Sequence, residues 1–375
     1  MANAFEIPGL HGMAPTAGDP AGDRPGAYPW LGRGRADAGT SSHGDFSLRT
    51  VPVADIPAPD AAGNFFVHPA YLAALGLNDV LMLERPDEDP AFFTERHGHL
   101  VHLGRLATLT PARIDALCDT LFRGTDANSV VLEDIVAPQT PAPLRPHHRF
   151  AYQADWRMAI GPDVTHISSR RASTMRRKWK LLAKETGGHV EFHFERCRPG
   201  DVAAIADLNR TKIESAGGHH QLDDQKRAIL EATAVQTGYT AKLTLDGRII
   251  AGNIICTAGT SAFFNIMGYD LAFSKFSPGL QVHLAALREL GERGYRDVHL
   301  LWGDSPWKQD VGADRQELTT LVVMRNRRVF LTPEHWAAFA PFLIQATRRR
   351  LKPIAERLLG EALISRLRHL LSNSH

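Results

Sequence analysis

The sequence has little cysteine: Cys118, Cys197 and Cys256 are the three it carries in 375 residues. Their spacing is unpaired, which excludes a disulfide framework and a cysteine-based zinc module. Buried thiols in a reducing cytoplasm are the expectation. Long hydrophobic runs are also missing. No stretch approaches the roughly 18 apolar residues of a membrane span. The opening MANAFEIPGLHGMAPTAGDP has neither the basic start nor the apolar core of a secretory signal. Lysine is absent from residues 1–165, which hold 20 Asp/Glu and 12 Arg, a net of −8. The remainder holds 21 acids and 31 bases, a net of +10. Such an asymmetry suggests two units with different surfaces. The basic half suits a phosphorylated ligand, an acidic carrier protein or nucleic acid, with a plain solvated face as the alternative.

What is present is globular: 43% hydrophobic and 22% charged residues, over a length suited to two domains. Residues 1–45, rich in Gly, Ala, Pro and Asp, read as a disordered leader. FFVHPAYLAALG (65–76) leads into a helix closed by Gly76. TPARIDALCDTLFRG (110–124) is a helix capped by Thr110 with Pro111 at its first position. NSVVLEDIV and RFAYQADWRMAI read as strands around a Pro-rich loop, 138–148. The second unit begins with a basic helix, 168–188, closed by Gly187-Gly188. Strand HVEFHFERC follows, then helices PGDVAAIADLNRTKIESAGG and DDQKRAILEATAVQTG. Three strands come next, turning at Asp246-Gly247 and Gly259-Thr260, then a helix over 279–293 and a strand over 297–302. LTTLVVMRNRRVFL is expected as a final strand pair. Residues 332–375 read as helices. Leu351, Ile354, Leu358, Leu359, Leu363, Leu367 and Leu370 share one face, with arginines opposite. Packing on the body explains that stripe; peripheral contact with a membrane surface or a partner is the alternative.

SRRASTMRRKWKLLAKETGGHVEF, LDGRIIAGNII and FFNIMGYDLAFSKFSPGLQVHLAALRELGERGYRDVHLLWGDSPWK, in that order and spacing, carry a resemblance. Over residues 163–325 the chain resembles the acetyltransferase domain of the CelD/BcsL-like cellulose-biosynthesis group, within the GNAT (GCN5-related N-acetyltransferase) superfamily. It is also similar to the Fem peptidyltransferases, which carry two GNAT-like domains in tandem. The resemblance implies a mixed α/β fold, with a degenerate GNAT-like domain over 46–160, a catalytic one over 161–331 and a C-terminal helical extension over 332–375.

It further implies that strands AFFNIMGY and VHLLWG splay apart. Their unpaired backbone groups, near Asn265, Ile266 and Met267, would then bond the pantetheine arm of acetyl-CoA or a longer acyl-CoA. The following helix would aim its N-terminus at the pyrophosphate, with Lys275, Ser277, Gly279, Leu280 and Gln281 around it. The superfamily's usual Gln/Arg-x-x-Gly-x-Gly/Ala loop is absent; SKFSPG has one glycine, which keeps an acyl carrier protein or tRNA open as the donor's carrier.

Acyl transfer to an amine needs a proton acceptor, a stabilised oxyanion and a protonated leaving thiolate. Asp304 is the expected base, Lys308 a substrate-positioning or charge-stabilising group and Tyr269 the acid. Asp270 stands beside Tyr269, with a turn or cap as its alternative role. A buried core aromatic is the alternative for Tyr269. His219 and His220, in the Gly-rich loop ESAGGHHQLDD, border the acceptor site in similar proteins; surface histidines are the alternative. Arg176 and Arg177 of the basic helix are expected to face the acceptor, as is Trp307, which stands where Tyr-Lys is common. No metal is expected, because adjacent histidines cannot easily share one ion. The function implied is transfer of an acyl group to an amine of a sugar, amino acid or polysaccharide precursor. A Fem-like transferase using aminoacyl-tRNA, and a non-catalytic scaffold in polysaccharide assembly, are the alternatives.

Overall fold

The computed structural model describes residues 41–43, 46–57, 63–86, 88–96, 98–137, 143–161, 169–216, 220, 222–303, 305–333, 335, 336, 339–349 and 351. Thirteen strands form one mixed sheet. In chain order they are β1 (Ser41–His43), β2 (Phe46–Pro52), β3 (Asp79–Glu84), β4 (Ala91–Arg96), β5 (His99–His102), β6 (Ser129–Ile135), β7 (His147–Ala159), β8 (Val190–Arg196), β9 (Gly238–Leu245), β10 (Arg248–Ala258), β11 (Ser261–Tyr269), β12 (Asp297–His299) and β13 (Asp314–Met324). Their order across the sheet is β1-β2-β3-β4-β5-β6-β13-β7-β12-β11-β10-β9-β8. The helices are α1 (Pro69–Ala74), α2 (Pro111–Gly124), α3 (Ser169–Thr186), α4 (Pro199–Ser215), α5 (Asp224–Thr237), α6 (Pro278–Glu292) and α7 (Pro306–Asp310).

Local chemistry places α1 to α6 where the sequence expects them; α7 was not expected. Thr110 accepts from the Arg113 amide at 3.2 Å and Pro111 opens α2; Asp223 caps α5 in the same way at 2.8 Å. One core of the second unit lies between the sheet and α6, built from Leu243, Ile255, Phe264, Val282, Leu287 and Val298. On the opposite face Val202, Ile205, Leu230, Ile254, Phe263 and Trp302 pack under α4 and α5. Phe65 and Phe66 join that second core, so the first unit closes on the second there.

Three expectations need correction. LTTLVVMRNRRVFL is not a strand pair: it holds the end of β13, and a 3-10 turn over Arg327–Leu331 follows. β13 pairs with both β6 and β7 and so stitches the two units into one sheet. The strand expected over 297–302 stops at His299, for a reason given below. Of the leader, Ser41–His43 form β1 against β2; its residues 1–40, 44 and 45 lie outside the described ones. Strands β3, β4 and β5 were not legible as such. Most of the leucine stripe also lies outside the described residues. The helical residues just before it seat Phe339 and Phe342 on Val131, Phe150 and Val322. Among the described residues no helix is long and apolar enough to cross a membrane. All three cysteines are buried and unpaired, and burial pushes the Cys197 thiol up to about 12.

Candidate active site

β11 and β12 run parallel and share three rungs, Ser261↔Asp297, Ala262↔Val298 and Phe263↔His299. There β12 ends, while β11 continues to Tyr269. The pair therefore opens into a gap. Against β10, Ile254 faces Ile266 but Ile255 faces Phe264, so Asn265 is an extra residue in β11. This bulge turns the strand at the mouth of the gap. Beyond it, the Asp270 amide donates to the Ile250 carbonyl of β10 at 2.8 Å. By alternation the backbone of Met267 and Tyr269 faces the other way, into the gap.

The far lip is held open by Lys308. Its side chain is buried, with 5% of its surface exposed. The ammonium donates to the carbonyls of Leu300 at 2.9 Å, Leu301 at 3.0 Å and Trp302 at 2.8 Å. Leu301 takes the left-handed conformation, φ 54°, to present them. These groups bond Lys308 and not β11, which is why β12 is only three residues long. Lys308 is thus a strut of the gap, which corrects its expected role as a substrate-binding charge.

The near lip is the start of α6. Ser277 is left-handed, φ 57° and ψ 48°, and its hydroxyl accepts from Lys178 of α3 at 2.7 Å. Pro278 opens the helix and Gly279 lies against β11. A Cβ at Gly279 would stand 3.0 Å from Tyr269 Cδ1 and 3.3 Å from Met267 Sδ, so any larger residue would have to push these side chains back from the first turn. Gln281 is buried and donates to the Phe276 carbonyl at 2.7 Å, bracing the preceding turn. Leu280 packs on the core. Lys275 pairs with Glu185 and lies over the Phe276 ring at 4.8 Å.

Across the sheet, α4 presses onto β11. A Cβ at Gly268 would meet the Ile205 carbonyl at 2.4 Å and the Asn209 amide nitrogen at 2.7 Å. Asn209 and Lys212 reach round the strand to the Met267 carbonyl, at 2.8 and 3.2 Å. The Lys212 ammonium also lies 5.4 Å from the centre of the Tyr269 ring. Burial holds its pKa below the ordinary lysine value. Sequence reading missed both residues; the signal available was their three-residue spacing on a helix before a Gly-Tyr strand end.

Residues 168–309 match the model of an acetyltransferase (GNAT) domain. That span runs from the start of α3 to α7 and encloses β11, α6 and β12. No curated protein matches the chain. Among solved structures it is similar to L-PGS from Bacillus licheniformis, with 14% identity, 76% of this chain and 92% of that one covered, and a TM-score of 0.48. It is similar to FemX, with 11% identity, 68% and 90% covered, and a TM-score of 0.48. A GCN5-related N-acetyltransferase from Kribbella flavida shares 13% identity, with 66% and 87% covered and a TM-score of 0.36.

Within the matched span several expected site residues stand elsewhere. Asp270 caps the 271–276 turn through the Ala272 amide at 3.0 Å and pairs with Arg248 at 2.9 Å, so its carboxylate is spent on structure. Trp307 packs against His283 of α6, ring centres 4.7 Å apart, on the α6 side of the sheet. Arg176 and Arg177 are exposed on α3, whose neighbours are the 271–276 turn and α6, again not the α4 side. The basic helix therefore lines the Ser277 lip, through Lys178. Tyr269 is half-buried at the mouth of the gap. His220 is half-buried beyond α4; His219 and Asp304 lie outside the described residues. Among the described residues no three His, Cys, Asp or Glu side chains gather as metal ligands.

The first unit repeats the strand–helix–parallel strand arrangement in β5, α2 and β6, with rungs from His99↔Ser129 to His102↔Leu132. Its equivalent gap is filled. Arg105 is buried there and bonds Glu133, with Asp134 at 3.7 Å. The Leu106 amide donates to the Asp134 carbonyl at 2.8 Å, and Thr108 re-pairs with Val136. Leu106 and Asp134 take positive φ, 63° and 50°, to close the chain round this plug.

Proposed function

We propose that the protein is an N-acyltransferase that moves an acetyl or longer acyl group from acyl-CoA to an amine of a sugar, amino acid or polysaccharide precursor. The observation that carries this reading is the β11–β12 gap, bulged at Asn265 on one lip and propped by Lys308 on the other, with the N-terminus of α6 at its mouth. An extended amide-bearing arm fits such an edge because the strand offers backbone groups with no sheet partner beyond Phe263. A pyrophosphate fits the α6 end: Gly279 leaves room, and the helix dipole, Lys178 and Lys275 all favour an anion. The Asn265–Met267 backbone is placed to stabilise the thioester oxygen as it gains charge. Tyr269 is the candidate proton donor to the leaving thiolate, and Asp304, His219 and His220 remain candidates for binding the acceptor. The filled gap of the first unit supports reading that unit as a degenerate copy, with the donor bound by the second.

A second reading has one observation in its favour. Asn209 and Lys212 already bond the Met267 carbonyl, a rung that a pantetheine arm would otherwise take. A donor carried on tRNA needs no such rung, and the exposed basic face of α3 suits a polyanion. Thermal unfolding with acetyl-CoA, longer acyl-CoAs, free CoA and tRNA separates the readings, because a ligand that binds only the folded state raises the midpoint. A rise with CoA species supports the first. A rise with tRNA alone supports the second.

A further inference from the structure

β12 ends at His299, on the last rung before the gap opens. Its Nδ1 lies 2.6 Å from an oxygen of Asp155, on the neighbouring strand β7. Asp155 is sealed, with 1% of its surface exposed. The carboxylate thus holds Nδ1–H and leaves Nε2 as the basic nitrogen. The ring stacks on Phe263, centres 4.6 Å apart and planes 4° from parallel, so it cannot swing. This is the α4 face of the sheet, opposite the α6 lip. An arm entering beside α6 and crossing the gap delivers its thioester toward this face.

The surroundings are polar and incompletely bonded. Gln153 lies two residues before Asp155 on the same face of β7, and neither end of its amide has a partner among the described residues. The second oxygen of Asp155 and the indole N–H of Trp302 also lack one. Trp302 packs edge-on to Phe66, which contacts Phe263. Sealed polar groups without partners are rare in folded proteins and mark a place where a ligand or water completes the bonding.

We propose that His299, oriented by Asp155, takes the proton from the acceptor amine. This rests on the acyltransferase reading. The amine nitrogen attacks the thioester carbonyl carbon, its proton passes to His299 Nε2, the C–S bond breaks, and the thiolate takes a proton from Tyr269, which regains one from solvent. His299 then returns its proton to solvent, so the products are an amide and a free thiol. Among the described residues the charged groups beside the ring are Asp155 and Arg157, the residue opposite His299 on β7, which pairs with Asp297 at 2.8 Å.

The test compares wild type with H299N and D155N. CoA affinity is read by calorimetry, folding by thermal melts, and turnover by thiol release over a panel of amines from pH 5.5 to 9. The expected result is unchanged CoA affinity in both variants and a turnover loss of roughly 100- to 10,000-fold in H299N. D155N should move the acidic limb of the pH profile, which a packing defect alone would not do. An H299N protein that binds CoA and transfers at the wild-type rate overturns the role of His299. Wild type that binds no CoA species at all refutes the acyltransferase reading itself. If H299N fails to fold, D155N decides: an unmoved pH profile overturns the proposal.

Discussion

Lys308→Met separates a strut from a substrate contact. The ammonium serves three buried carbonyls, at 2.8 to 3.0 Å. A hydrogen bond to a charged group contributes about 1.5–3 kcal/mol, and a buried acceptor left unpaired costs about 1–3 kcal/mol. Methionine keeps the length of the stem and removes the cost of desolvating the charge, so the full sum overstates the loss. A net destabilisation of about 3–6 kcal/mol remains, against a typical total of about 5–15 kcal/mol. At about 2–4 °C per kcal/mol, the midpoint should fall roughly 6–24 °C. The carbonyls of Leu300, Leu301 and Trp302 would also be released to pair elsewhere, so CoA affinity should fall in whatever protein stays folded. Differential scanning calorimetry measures the first effect and isothermal titration the second. A folded variant that melts within 2 °C of wild type, whatever its activity, refutes the strut and restores Lys308 as a group available to substrate.

Gly279→Asp should weaken CoA binding at least tenfold in titration, because the new side chain meets Tyr269 and Met267 and places a negative charge at the α6 terminus. Lys212→Met should leave the fold intact, since the residue is half-buried with a flexible stem, and should change CoA affinity by freeing the Met267 carbonyl; unchanged affinity and unchanged turnover would remove Lys212 from the site. Acid should destabilise the protein through His102, whose pKa burial lowers to about 4 from 6.5. A depressed histidine contributes stability that is whole above the unfolded pKa and is lost as pH falls toward the folded one. Urea midpoints should therefore drop between pH 6.5 and 4, by about 3 kcal/mol from this group, and His102→Phe should flatten that drop if its volume is accommodated.

Elements with local causes were legible in the sequence. Thr110-Pro111 started α2, Pro278-Gly279 started α6, and Asp246-Gly247 turned β9 into β10, because capping and turn chemistry act within four residues. The gap was legible only through resemblance. What remained hidden depends on long-range contacts. The Asp155–His299 pair spans 144 residues between two strands that no local pattern makes neighbours. Lys308 looked like a free charge after a loop, and nothing in SPWK says that its ammonium folds back on the preceding strand. Asp270 is the opposite case: the turn or cap role weighed for it in the sequence is the one it takes, capping the 271–276 turn through the Ala272 amide. β3 to β5 were missed because their strands are short and are buried by partners supplied from elsewhere in the sheet.

The two halves give a control that one domain alone would not. Both have a parallel strand pair joined by a helix, and in both the rungs stop after three or four residues. In the first the chain then closes: Arg105 fills the space, Glu133 and Asp134 neutralise it, and Thr108 pairs again with Val136. In the second β11 and β12 form no further rung among the described residues, and Lys308 holds the carbonyls of Leu300, Leu301 and Trp302. Re-pairing is the default outcome for strand edges, since unpaired backbone groups cost free energy. An edge kept open by a buried ammonium, with left-handed Ser277 and Leu301 on its lips, is a structure held against that default. Strain of this kind persists only where surrounding contacts enforce it, and it gathers where function needs it. The open gap is therefore the part of the fold whose shape its contacts must maintain, and the filled one shows what the same arrangement becomes when the chain re-pairs.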